Sequence, residues 1–199
     1  MILADKLCGL VLSGGKSTRM GKDKGLISYH GKPQREHIYH LLSEVCDETF
    51  LSIRQNQLTK VPENYKIIID EDEFKGPFNG ILSAHKKYPK VAWLVLACDL
   101  PLITKESLQE LISQRNQNTL ATAFALKESP LPEPLVAIWE ASGLSQALNF
   151  MNSAKGTCPR KFLIENEVQL VFPKDEKVLL NANLESEYEE ALKIVANND

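Results

Sequence analysis

The residues LCGLVLSGGKSTRMGKDKG (7–25) decide the fold: an unbroken apolar run gives way abruptly to glycines and cations. Apolar residues that run on rather than alternate read as a strand buried on both faces, as in a parallel sheet covered by helices. In such a sheet, ligands collect outside the carboxyl ends of the strands, so the loop that follows is where an anion would sit. Gly14 and Gly15 let the backbone turn with positive φ and approach a ligand closely, and successive N–H groups there form an anion-binding concavity. Lys16, Arg19, Lys22 and Lys24 surround it with positive charge. The plain alternative is a basic, solvated surface turn.

Working outward, TFLSIR (49–54), YKIIID (65–70) and VAWLVLACD (91–99) have the same unbroken apolar character and read as further parallel strands. PQREHIYHLLSEVC (33–46), GPFNGILSAHKKY (76–88) and KESLQELISQRN (105–116) carry apolar residues at three- and four-residue spacing and read as helices. Thr104 is the expected N-cap of the third, with Ser107 in the capping-box position. Strand and helix alternate, which predicts an open α/β sheet with right-handed crossovers. Beyond residue 119, TLATAFAL, PLVAIWEA, VQLVF and KVLLNAN predict additional strands, some antiparallel, and ESEYEEALKIVA (185–196) a closing helix. The Pro-rich SPLPEP segment (129–134) must be a loop or a strand entry, because proline removes ladder donors. No repeat or long linker divides the 199 residues, so one domain is expected.

A formal charge of −3 gives no broad attraction for nucleic acid or anionic membrane, so phosphate recognition has to be local. No apolar run approaches the roughly 18 residues of a membrane helix. Cys8, Cys46, Cys98 and Cys158 lie far apart, without a C-x-x-C pair, and the first residues lack a secretory cleavage pattern; a reducing cytoplasm is the expectation. His37 and His40 lie one turn apart on a helix with no third ligand nearby in sequence, which favours structural roles.

Two familiar phosphate motifs fail on register. The P-loop needs G-x-x-x-x-G-K-[ST]; Gly15-Lys16-Ser17 supplies its second half, but its first glycine would fall at Leu10, and Gly9 is one residue early. The dinucleotide fingerprint fails because Gly14 and Gly15 are adjacent and the next glycine is Gly21. Two strands end in aspartate, Asp70 and Asp99. A carboxylate against apolar neighbours costs several kcal/mol unless a cation or donors meet it, so Asp99 either caps the loop toward Ile103 and Thr104 or meets Mg2+ bridging to a triphosphate. Asn181 and Asn183, two apart, face one side of an extended segment, or else cap the final helix.

The glycine loop resembles the signature of the sugar-nucleotide and cofactor nucleotidyltransferases, a strand followed by L-x-G-G-x-S-x-R-M-G-x-D-K. Leu12, Gly14, Gly15, Ser17, Arg19, Met20, Gly21, Asp23 and Lys24 match it. Ser13 stands where alanine is usual. Within that superfamily, the adjacent glycines and Asp23-Lys24 look most like the molybdenum cofactor guanylyltransferases, the molybdopterin-guanine dinucleotide biosynthesis protein A family. Cys98-Asp99-Leu100-Pro101 resembles that family's C-D-x-P, GPFNGI (76–81) its G-P-L-x-G-I, and EPLVAIW (133–139) its E-P-L-x-A-x-Y with Trp139 in place of tyrosine. LLNANLESEYEEA (179–191) corresponds to its N-x-N-T-P-E-E ending, with Leu184 and Glu185 in place of Thr and Pro. Where relatives often have an asparagine after the second strand, this chain has Arg54, then Gln55 and Asn56.

The resemblance implies a Rossmann-like three-layer sandwich of the nucleotide-diphospho-sugar transferase type, with a nucleotide-binding part over about 1–105 and an acceptor-binding part over about 106–199. It implies GTP and molybdenum-bound molybdopterin as substrates, Mg2+ as cofactor, and molybdoenzymes or their chaperones as protein partners. Leu12, Ser13, Gly14, Gly15, Lys24, Arg54, Asp70, Gly80 and Asp99 would then contact the nucleotide. Arg19, Lys24 and Asp99 would act in catalysis, Asp99 would hold the metal, and Asn181 and Asn183 would face the acceptor. A cytidylyl or sugar-phosphate nucleotidyltransferase of the same fold, a P-loop-like phosphotransferase and a non-catalytic nucleotide-binding subunit are the rival readings.

Lys24 separates a functional loop charge from a solvated one. A charge-assisted hydrogen bond contributes about 1.5 to 3 kcal/mol, an exposed surface charge typically under about 1 kcal/mol. Lys24→Ala should therefore weaken GTP binding or turnover by roughly 10- to 150-fold with thermal stability nearly unchanged, while Lys22→Ala, at a variable motif position, has far less effect. Equally mild effects from both substitutions would reduce the loop to a basic surface turn.

Overall fold

The strands assemble into one seven-stranded sheet in the order β3-β2-β1-β4-β6-β5-β7, in a computed structural model that describes residues 6–14, 24–152, 158–182 and 185–196. The strands are β1 (Leu7–Leu12), β2 (Glu48–Ile53), β3 (Ile67–Ile69), β4 (Ala92–Ala97), β5 (Ala121–Phe124), β6 (Val136–Trp139) and β7 (Gln169–Val171). The helices are α1 (Gln34–Ser43), α2 (Phe78–Lys87), α3 (Lys105–Ser113), α4 (Ala141–Asn152), α5 (Pro159–Ile164) and α6 (Glu185–Ala196). The first four strands are mutually parallel, with β1 between β2 and β4. The order places β1 at the centre of this half, hydrogen-bonded on both sides.

The unbroken apolar runs follow from burial on two faces. Leu7 and Val11 of β1 join Leu94 and Leu96 of β4 in a core with Ile38 and Leu42 of α1 and Leu108 and Leu111 of α3. The intervening Cys8, Leu10, Trp93 and Val95 point the other way, into a second core with Phe78, Ile81 and Leu82 of α2 and Leu144 of α4. Because both faces demand apolar side chains, the period-2 pattern disappears from the sequence. Gly9 belongs to this packing: a Cβ there would stand 2.9 Å from Leu42 Cβ and 3.1 Å from Thr49 Oγ1. Its glycine brings α1 down onto the sheet.

The expected capping box of α3 is present, with Thr104 Oγ1 accepting from Ser107 N at 3.2 Å and Ser107 Oγ accepting from Thr104 N at 3.1 Å. Trp139 fills its non-tyrosine position as a fully buried ring, its Nε1 donating to Pro134 O at 3.0 Å. Some of the later strands are antiparallel, as expected: among the described strands β6 pairs antiparallel with β4 and β5, while β5 and β7 are parallel to each other. Two expectations change. The described part of KVLLNAN, residues 177–182, does not form a strand: Glu176–Leu179 is a 3-10 turn in which Asp175 Oδ1 accepts from Lys177 N at 3.0 Å, a local bond that competes with a ladder. Helices α4 and α5 were not anticipated in the loosened pattern after residue 119.

No described helix is long and apolar enough to cross a membrane. Cys8 and Cys98 are buried, and burial raises the Cys8 thiol to about 11 and the half-buried Cys46 to about 12, as expected of small hydrophobes rather than reactive thiols.

If Gly9 serves helix packing rather than phosphate binding, Gly9→Ala should lower unfolding stability by about 1 to 3 kcal/mol through overpacking against Leu42. Nucleotide affinity of the folded fraction, measured below the melting transition, should stay within about twofold. A large loss of affinity with unchanged stability would restore the P-loop reading.

Candidate active site

Parallel pairing carries the ends of β1, β2, β3 and β4 to one edge of the sheet, and with them Ser13-Gly14, Arg54, Asp70 and Asp99. The register is direct: Leu12 lies opposite Ser52 on one side and Ala97 on the other, and Ile53 opposite Ile69. The pairing continues one step beyond the strands, since Ser13 N donates to Ser52 O at 3.0 Å and Asp70 N to Ile53 O at 2.8 Å.

One corner of this edge is built from five residues. Ser52 Oγ donates to Asp70 Oδ1, and the other carboxylate oxygen of Asp70 stands where a Cβ on Gly14 would be. A Cβ on Gly80 would run into Ser52 Oγ and come within 3.3 Å of Asp70 Oδ1. Both glycines therefore let backbone close around one carboxylate; Gly14 does not take the expected positive φ, and its lack of a Cβ serves this close approach instead. Arg54 completes the corner, its Cγ 3.8 Å from the position of a Gly14 Cβ. Burial raises the Asp70 carboxyl above the usual carboxylate range, with the Ser52 hydrogen bond and the Arg54 charge opposing it. The GPFNGI turn delivers Gly80 here: Gly76 takes a φ of +66°, Asn79 N donates to Gly76 O at 3.1 Å, and α2 begins. Gly76 thus has the conformation that favours glycine.

The second corner surrounds Asp99, which is half-buried with Oδ1 shielded from solvent. Ala182 N donates to Asp99 O at 2.9 Å, so the Asn181-containing segment crosses directly over the end of β4. Asp99 and Asn181 line a cleft of about 190 Å3 together with Glu133 and Arg160. Arg160 Nη2 sits 2.6 Å from both carboxylate oxygens of Glu133, bridging the entry of β6 to the first turn of α5.

Leu12, Ser13, Gly14, Arg54, Asp70, Gly80, Asp99 and Asn181 are thus brought to one edge. Gly15, Arg19 and Asn183 lie outside the described residues, as does the side chain of Lys24, whose backbone opens a 3-10 turn over Lys24–Leu26. His37 does not approach this edge as a ligand; it stacks on His30 at a centroid distance of 3.8 Å, and burial lowers its pKa to about 4. Among the described residues no three His, Cys, Asp or Glu side chains form a metal cluster.

Residues 9–169 match the MobA-like NTP transferase domain family. The chain belongs to that family. Among curated relatives, a molybdenum cofactor biosynthesis bifunctional protein from Synechocystis is 39% identical over 183 residues, 92% of this chain and 52% of the relative. The chain thus spans about half the length of that bifunctional protein. A probable molybdenum cofactor guanylyltransferase from Flavobacterium johnsoniae is 35% identical over 135 residues, 68% of this chain and 69% of the relative. Of solved structures, molybdopterin-guanine dinucleotide biosynthesis protein A from Archaeoglobus fulgidus superposes with a TM-score of 0.79 at 21% identity, covering 96% of this chain and 99% of that one. The MobA-like family and the nucleotidyltransferase fold meet the expectation drawn from the glycine loop.

Sequence reading missed two residues that build this sheet edge. Ser52 announces itself only as a polar residue, with Thr49, in the apolar run TFLSI, where it is fully buried. Gln57 has no sequence signal; its Oε1 accepts from Arg54 N at 2.9 Å and its Nε2 donates to Ser13 O at 3.1 Å, tying the ends of β1 and β2.

The raised Asp70 pKa makes a stability prediction. Below the unfolded value, about 3.9, the carboxyl is neutral in both states. As pH rises, the unfolded chain releases its proton first, so stability falls until the folded pKa is passed and the cost then persists. Asp70→Asn, which keeps an acceptor for Ser52, should therefore melt higher than the unaltered protein at pH 7, and the difference should vanish near pH 3.5. A lower melting temperature for the variant at pH 7 would overturn this assignment.

Proposed function

We propose that this chain transfers GMP from GTP to the terminal phosphate of molybdenum-bound molybdopterin, forming the guanine dinucleotide cofactor and releasing pyrophosphate. The observation that carries the reading is the convergence of the Ser13-Gly14 turn, Asp70 and Asp99 on one sheet edge in a chain of the MobA-like family. The names of the Synechocystis, Flavobacterium and Archaeoglobus proteins support the choice of cofactor pathway.

An oxygen of the acceptor's terminal phosphate attacks the α-phosphorus, and the bond from that phosphorus to the bridging oxygen of the β-phosphate breaks. The attacking group is already an anion, so no serine, cysteine or histidine has to be activated. Catalysis is positioning plus charge neutralisation. Backbone N–H groups near Gly14 and Gly15 orient the triphosphate, and Arg19 and Lys24 hold its oxygens as pyrophosphate departs. Leu12, Ser13, Arg54, Asp70 and Gly80 line the nucleoside side. Asn181 and Asn183 face the acceptor, across the division between a nucleotide-binding part (about 1–105) and an acceptor-binding part (about 106–199).

Asp99 is the residue that would hold Mg2+. Its carboxylate, half-buried at the end of β4 beside the cleft shared with Asn181, is a hard oxygen donor of the kind that holds Mg2+ together with triphosphate oxygens. The ion would supply neutralisation of charge on the triphosphate. The apolar, cysteine-bearing core and small net charge fit a cytoplasmic enzyme without nucleic-acid or membrane partners.

Pyrophosphate release with GTP, CTP and ATP tests the reading. GTP should bind at least about tenfold more tightly than CTP, and Asp99→Asn should cut turnover by at least about 100-fold while the fold persists. Equal or reversed nucleotide preference defeats the guanylyl assignment. Release of orthophosphate, or transfer of the γ-phosphoryl group, returns the P-loop-like reading, and binding without turnover returns the regulatory subunit.

A further inference from the structure

The turn that carries Asp99 has no ladder to hold it, because β4 ends at Ala97 and α3 begins only at Lys105. Its three successive carbonyls are instead gripped by three separate donors. Asp99 O accepts from Ala182 N at 2.9 Å, Leu100 O from Gln34 Nε2 at 3.1 Å, and Pro101 O from His30 Nε2 at 2.8 Å. A carbonyl can only accept, so His30 carries its proton on Nε2.

The two side-chain donors belong to one rigid piece. Gln34 N donates to Ile27 O at 2.8 Å, and Ser28 bridges to Pro33, closing a tight turn in which Gly31 takes a φ of +71°. His30 is clamped by stacking on His37 of α1, at 3.8 Å and 11° from parallel. Gln34 is fully buried and its neighbour Arg35 nearly so. Arg35 Cβ and Cδ lie 3.4 Å from where a Cβ on Gly25 would stand, so the same piece supports the backbone immediately after Lys24. A buried glutamine amide is costly unless it is hydrogen-bonded, and the Gln34 Nε2 bond to Leu100 O offsets that cost. Gln34 thus ties the aspartate turn to the start of α1, and Arg35 packs beside the Gly25 backbone.

We propose that Gln34 and His30 are positioning residues for Asp99, bracing the Asp99–Leu100–Pro101 turn so that its carboxylate meets a nucleotide-bound divalent cation in one geometry. The inference rests on the guanylyl-transfer reading of Asp99. Groups that orient a ligating side chain typically change metal affinity by about tenfold or more when removed.

The test uses Mn2+ as a magnetic stand-in for Mg2+ and reads its binding to the full chain with GTP by electron paramagnetic resonance, alongside the Mg2+ dependence of pyrophosphate release. Gln34→Leu and His30→Leu should each weaken Mn2+ binding about tenfold and raise the half-saturating Mg2+ concentration similarly, with the GTP KM at saturating Mg2+ within about twofold. His30→Gln, which restores an N–H at a comparable reach, should recover most of the affinity. Variants that melt earlier yet bind Mn2+ as the unaltered protein does would make the brace merely structural and overturn the proposal. If Gln34→Leu does not fold, the His30 pair decides. If the unaltered protein shows no metal-dependent GTP binding, the guanylyl-transfer reading fails and takes this inference with it, an outcome distinct from failure of the variants alone.

Discussion

Parallel hydrogen bonding of β1 to both neighbours is the constraint on which the rest of the structure depends. With Leu12 opposite Ser52 and Ala97, three strands must end at one level, and everything that follows them is delivered to one edge. A slip of one residue would exchange the two faces of β1 and strand Leu10 or Val11 against the wrong helices. The two hydrophobic cores therefore fix the register, and the register builds the site.

The edge that results is polar and crowded in a way a core would not tolerate. Asp70 is accommodated because Ser52 donates to it, Arg54 lies beside it, and Gly14 and Gly80 carry no Cβ to crowd it. Asp99 is held differently, through the carbonyls of its own turn, by donors from the 27–34 turn and from the segment containing Asn181. One aspartate is thus placed by its side chain and the other by its backbone. The first arrangement leaves a half-buried carboxylate between Gly14 and Gly80; the second leaves the carboxylate of Asp99 beside the cleft shared with Asn181.

How far the sequence was legible varies along the chain. β1, β2, β4, α1, α2, α3 and α6 followed from apolar runs and helical spacing, with ends displaced by a few residues. The Glu176–Leu179 turn was misread as a strand because Asp175 offers a local hydrogen bond that apolar patterning does not register. Helices α4 and α5 escaped notice because ASGLSQALNF opens with small, weakly patterned residues and α5 has only six. Asp70, Gly80 and Asp99 were legible as candidates, but their mutual contacts were not.

By itself the sequence determined the alternation of buried strands and helices, the glycine loop after β1, the acidic ends of β3 and β4, and the family to which the chain belongs. These are properties of residues near one another along the chain, where spacing and composition speak directly. Only the tertiary structure decided that Ser52 and Gln57 meet Asp70, Arg54 and Ser13 at the sheet edge, that β6 is the antiparallel member among the described strands, and that Gln34 reaches Leu100 across 66 residues. Contacts over such distances depend on strand register and on how closely helices settle on the sheet. Those are set jointly by both cores, and no local pattern encodes them.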